Sequence, residues 1–163
     1  MKIPSTKLTV FVLLAWVFAF GLIASAVTYE SESEASAFDA ELAETLGADA
    51  YGMRQYVMAF LKAGPNQEGD PEDIQAIQDG HMAYIRAMAE DGTLAMAGPF
   101  MDGGELRGIF IFAVDSLEEA EALTAADPAV QAGRLVMELK PWYGSAALMK
   151  VGEIHQQIAQ SNP

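Results

Sequence analysis

The chain has 163 residues, enough for one domain with extensions, and a hydrophobic content of 52% that is ample for a core. Asp and Glu number 23 against nine Lys and Arg, a net charge of −14; nucleic acid and anionic lipid headgroups, which need clustered cations, are excluded as partners. There is no cysteine, hence no disulfide, thiolate nucleophile or Cys-ligated zinc, and two histidines, His81 and His155, cannot build a multi-histidine metal centre within one chain.

Residues 1–26 read as a signal peptide or an N-terminal membrane anchor. Lys2 and Lys7 flank the apolar run LTVFVLLAWVFAFGLI, and ASA at 24–26 supplies small residues at A-x-A spacing. Residues 8–27 are just long enough to span a bilayer, so the membrane enters only through such an anchor. Both readings place residue 28 onward outside the cytoplasm, as a periplasmic or secreted protein or as an anchored one facing outward. Setting Lys2 and Lys7 aside leaves seven basic residues against 23 acids, a net charge of −16. Residues 27–50, with seven acids and no base, read as an acidic tether or a loosely held helix.

The domain expected over 51–145 follows in chain order. MRQYVMAFLKAG (53–64) is a strand. Residues 70–92 form a helix with Asp70 as N-cap, Pro71 at its first position and Gly92 at its end. The Asp79-Gly80 pair offers a break, so that the firm helix starts near Asp79. TLAMAGPF and LRGIFIFAV are strands joined by MDGGE, a hairpin signal centred on Asp102-Gly103. SLEEAEALTAA opens with a capping box from Ser116 to Glu119, DPAVQAG adds one short helical turn, and RLVMELKPWY is the fourth strand. Residues 146–163 are expected as a C-terminal tail with a short polar helix, leaving His155 solvated.

This order, β-α-β-β-α-β, is the ferredoxin-like arrangement of the α+β class, with both helices on one face of a four-stranded antiparallel sheet. YVMAFL and GIFIFAV are apolar at nearly every position, whereas a sheet covered on one face alternates. No further large apolar element is evident, so the second face is expected to pack on another subunit, a homodimer closing an α+β barrel.

His81 falls in register with Ile74, Ile77, Tyr84, Ile85 and Met88 and so faces the sheet. The topology carries the start of the first helix and the end of the second to one rim, bringing His81 near Asp127. A carboxylate fixes a histidine's tautomer and favours its charged form while burial opposes charging, a combination suited to proton exchange. The plainer readings stay open: His81 as a hydrogen-bonded core residue, Asp127 as the cap of the turn opened by Pro128. Tyr84, Arg86 and Trp142 read as packing or surface. No GxSxG, P-loop or GxGxxG context occurs, since GGELRG is a hairpin.

His81, GTLAMAGP (92–99), the capped helix after VDS, DPAVQAG (127–133) and LKPW (139–142), in this order over about residues 52–145, resemble the YciI-like, or YCII-related, domain. The resemblance implies a dimeric α+β barrel with a His-Asp pair, here His81 and Asp127, and a cleft shaped at positions matching Gly98, Pro99 and Gly133. It implies a small-molecule substrate, no cofactor, no metal, and a lyase- or isomerase-type proton transfer next to a carbonyl. A non-catalytic small-ligand-binding or structural dimeric module is the alternative.

Overall fold

The computed structural model describes residues 37–161. The signal or anchor reading of residues 1–26 and the first part of the acidic tether lie outside them. No helix among the described residues is long and apolar enough to cross a membrane. The described residues from Phe38 onward belong to a single compact unit.

Strand β1, Met53–Ala63, lies inside the sheet between two partners. Helix α2 is Pro71–Glu90; the hairpin strands are β2, Leu94–Pro99, and β3, Leu106–Phe112; helix α3 is Leu117–Ala126, the short α4 Pro128–Gln131, and β4 Leu135–Ser145. The sheet order is β2-β3-β1-β4 with every neighbouring pair antiparallel, as a ferredoxin-like α+β fold requires. Val57, Ala59 and Leu61 of β1 and Phe110 and Phe112 of β3 alternate onto the face covered by Met88 of α2 and Ala120 of α3. Burying a residue such as Phe110 stabilises by about 1.5–3 kcal/mol.

Helix α2 is unbroken from Pro71, so the expected break at Asp79-Gly80 does not occur and His81 sits mid-helix. Its start is fixed by Asp70, whose carboxylate accepts from the Glu72 amide at 2.9 Å, and Gln75 Nε2 donates to Asp79 Oδ1 at 2.8 Å in the turn before the suspected break. The Ser116 cap forms as read, with Ser116 Oγ accepting from the Glu119 amide at 3.1 Å. Glu119 reaches back one residue further, accepting from the Asp115 amide.

The C-terminal segment is more than a polar tail. A 3-10 turn, Ala146–Lys150, leads into helix α5, Val151–Ile158, and its Leu148 and Met149 pack against Tyr56, Ala95 and Ile111 on the second sheet face. No further large apolar element is expected for this face, and a short segment of the chain covers part of it. Leu148 and Met149 fall in AALMKV, an apolar stretch too short to display a helix or strand period of its own. Phe60 and Ile109 remain half-buried.

At the other end, the described part of the acidic stretch is folded. Helix α1, Ala40–Thr45, is capped by Asp39. Arg54 donates to the Leu46 carbonyl at 3.2 Å, and the Tyr143 hydroxyl donates to the Asp49 carboxylate. That hydrogen bond holds the Asp49 carboxyl below its ordinary range and pushes the Tyr143 phenol up.

Candidate active site

Asp127 closes α3 and opens α4, and its carboxylate is wholly buried. Burial of a carboxylate is costly unless its oxygens are satisfied. Here Oδ1 accepts from the Ala129 amide at 2.8 Å, capping α4, while Nδ1 of His81 lies 2.9 Å from Oδ1 and 2.8 Å from Oδ2. The capping and His-partner readings of Asp127 are thus both fulfilled by one side chain.

His81 is itself only 7% exposed, and its ring stacks on Phe110 with centroids 6.0 Å apart and planes 19° from parallel. With Nδ1 committed to Asp127, Nε2 is the nitrogen left for a ligand. Tyr84, one turn along α2, donates to the Leu123 carbonyl at 3.1 Å, and burial, then the charges of Asp127 and Asp91, push its phenol up. It ties α2 to α3, as a packing residue does. Trp142 packs on Tyr56, ring centroids 5.7 Å apart.

The open side of His81 borders a cavity of about 470 Å³ between α2 and one end of the sheet. Leu61, Met82, Ile85, Phe110 and Leu135 supply apolar walls, and Gln67, Gln78, Arg107 and Arg134 supply the polar lining beside His81. Gly98 and Pro99 line it as well. A side chain at the adjoining Gly108 would put its Cβ 2.6 Å from the Gly98 carbonyl, so β2 and β3 approach here as closely as glycine permits.

Gly133 is not a lining residue. A Cβ there would lie 2.6 Å from Asn66 Nδ2, so Asn66 covers it; its positive φ of 69° turns the chain from α4 into β4 and delivers Arg134 to the cavity. No cluster of three metal-ligating side chains occurs among the described residues. The sequence reading passed over Arg107, Arg134 and Phe110. Arg107 stands in an apolar strand, and the available signal was the scarcity of cations after residue 27.

Fold and site define a ferredoxin-like α+β domain with a buried His-Asp pair at the edge of a small cavity. The model of the YCII-related domain matches residues 55–143, and the chain belongs to that family. It is 35% identical over 63 residues to the uncharacterized protein YjpA of Bacillus subtilis, covering 39% of this chain and 72% of that one. Among solved structures it is similar to a 5-chloro-2-hydroxyhydroquinone dehydrochlorinase from Burkholderia phenoliruptrix, in complex with 2,5-dihydroxybenzoquinone. That match has 18% identity and a TM-score of 0.38, covering 53% of this chain and 92% of that one.

Proposed function

We propose that this is an exported small-molecule enzyme in which His81, oriented by Asp127, moves a proton on a substrate held in the cavity, a metal-independent reaction of lyase or isomerase type. The observation that carries the reading is the division of the imidazole: one nitrogen is bound to a buried carboxylate while the ring borders open space. A fixed tautomer with a free second nitrogen is what general acid-base work demands. The test begins with a metabolite screen for thermal stabilisation, followed by proton NMR of each binder in D2O for exchange or rearrangement next to a carbonyl. His81→Gln should slow such a reaction by about 10²–10⁴-fold, the usual contribution of a positioned acid-base group. Exchange that survives in His81→Gln would refute the mechanism.

The proposal includes a homodimer joined through the part of the second sheet face that the C-terminal segment leaves open, where Phe60 and Ile109 are half-buried. Export rests on the order of charge, apolar run and small residues in 1–26. N-terminal sequencing of mature material should begin near Val27; an intact Met1 on cytoplasmic protein would refute export.

A further inference from the structure

We propose that the ligand of this cavity is a carboxylic acid with a small apolar or aromatic body, its carboxylate anchored by Arg107 and Arg134. The inference rests on the reading of the cavity as the ligand site and names the class of molecule it takes.

The first observation is a reversal of charge. The chain carries 23 acidic residues against nine basic ones, yet among the described residues none that lines the cavity is acidic and two are arginines. The second is how the cations are employed. Lys62 and Lys140 both pair with Glu138, and Lys150 pairs with Glu153. Arg107 and Arg134 instead donate to main-chain carbonyls: Arg107 to Gly103 at 3.5 Å, Arg134 to Asn66 at 3.2 Å and Gln67 at 3.3 Å. Carbonyls orient a guanidinium without neutralising it, and each guanidinium has five N–H groups, so donors remain for an anion.

The backbone places both arginines at one end of the cavity. Leu61 pairs with Gly108 but Lys62 pairs with Leu106, so Arg107 is the extra residue of a β-bulge, where side-chain alternation breaks and a side chain is re-aimed. On the other side of β1, Ala63 pairs with Leu135, and the carbonyl of Arg134 accepts from the Gly64 amide at 2.8 Å and from Gln67 Nε2 at 2.9 Å. The arginines therefore flank the end of β1, Arg107 from β3 and Arg134 from the residue that leads into β4, about 10 Å apart at the backbone, a span two long side chains can close on one anion.

Distance then shapes the rest of the molecule. Phe110, against which His81 stacks, lies three residues along β3 from Arg107, again about 10 Å. Leu61, Phe110 and Ile85 line the cavity that both ends share. A carboxylate at the arginines thus leaves its apolar body between these walls and its reacting carbon near His81. A planar carboxylate also matches the fork of a guanidinium, which adds geometric selection to charge.

The experiment uses the purified protein with benzoate, phenylacetate and 4-hydroxyphenylacetate, each paired with its neutral primary amide, and with inorganic phosphate. Affinity is read by calorimetry and location by backbone amide NMR shifts at Gly98 and Gly108. At least one acid should bind about tenfold or more tighter than its amide, with shifts at the cavity. Arg107→Gln and Arg134→Gln should each remove most of that margin, with amide affinity falling far less than acid affinity; Arg134→Gln, which also loses its bonds to the Asn66 and Gln67 carbonyls, should lower Tm modestly. The lysine variants should restore part of the margin.

Absence of binding by every acid, amides that bind as well as acids, arginine variants that keep the margin, or phosphate binding tighter than any acid would each overturn the proposal. His81→Gln separates it from the proton-transfer reading. If acid selectivity follows the arginines while turnover persists in His81→Gln, the mechanism falls and the anion site stands. If turnover of neutral ligands depends on His81 and no ligand needs an arginine, the anion site falls and the mechanism stands.

Discussion

Gly80 of α2 lies directly against Pro128 of α4: a Cβ on Gly80 would come within 3.3 Å of the proline Cγ and 3.4 Å of its Cβ. Each is the immediate neighbour of a member of the His81–Asp127 pair, so this contact sets how closely the two helices bring imidazole and carboxylate together. Glycine inside a helix costs roughly 0.5–1 kcal/mol relative to alanine. Gly80→Ala recovers that amount but presses on Pro128, and its net effect on stability is expected to stay within about 1 kcal/mol. Gly80→Val, whose extra methyls extend past Cβ, should destabilise by about 1–3 kcal/mol through overpacking. It should also shift the His81 ring resonances. Chemical denaturation and NMR check both, and unchanged His81 signals in Gly80→Val would refute the link.

Removing the buried carboxylate should be far more damaging than altering it. Asp127→Ala strips the cap from α4 and leaves Nδ1 of His81 buried without its partner. The combined loss is expected at about 2–4 kcal/mol. Asp127→Asn keeps an oxygen for the Ala129 amide and should lose less than half of that. A double-mutant cycle with His81→Gln, followed by urea unfolding, measures the coupling, and additive single losses would show that the pair is not an energetic unit.

Much of this site is legible in the amino-acid sequence alone. Helical register turned His81 toward the sheet, and the chain order carried Asp127 to the same rim, because both follow from periodicity and connection geometry. The cavity's cations could not be read that way. Arg107 reaches the lining from a β-bulge, which depends on strand register rather than on local sequence, and Arg134 arrives through the glycine turn at Gly133. Gly80 shows the opposite error. A glycine inside a helical pattern read as a break, whereas tertiary contact with Pro128 gives it a packing reason.

The C-terminal segment should prove structural rather than dispensable. Deleting residues 146–163 removes Leu148 and Met149 from Tyr56, Ala95 and Ile111, and frees the Gly52 carbonyl that the Ala146 amide satisfies at 2.9 Å. The truncated protein is expected to lose several degrees of Tm and to self-associate through the newly wet sheet face. Light scattering on the purified protein without the leader, residues 28–163, should give a dimer mass. A monodisperse monomer at micromolar concentration would refute the dimer, and an unchanged Tm on truncation would refute the covering role.

The Lys62–Glu138–Lys140 cluster gives the fold a definite acid response. Both lysine amines lie 2.6 Å from the Glu138 carboxylate, and these contacts, Lys140 first and then Lys62, hold the carboxyl at about 2 against an ordinary 4.5. A carboxyl depressed in the folded state stabilises above its unfolded value, and the contribution disappears as pH falls from about 4.5 towards 2. Glu138 also raises Lys62, whose matching contribution is present below the ordinary lysine value of 10.5 and is lost as pH rises beyond it. The cluster is well exposed, so salt should screen it strongly. Glu138→Gln is therefore expected to lower Tm near neutral pH and low salt, with the difference from wild type closing between about pH 4.5 and 2 and shrinking in about 1 M salt. Thermal melts of both proteins across pH check this, and a difference that persists undiminished at pH 2 would assign it to packing around Phe60, the cross-strand neighbour of Glu138, rather than to charge.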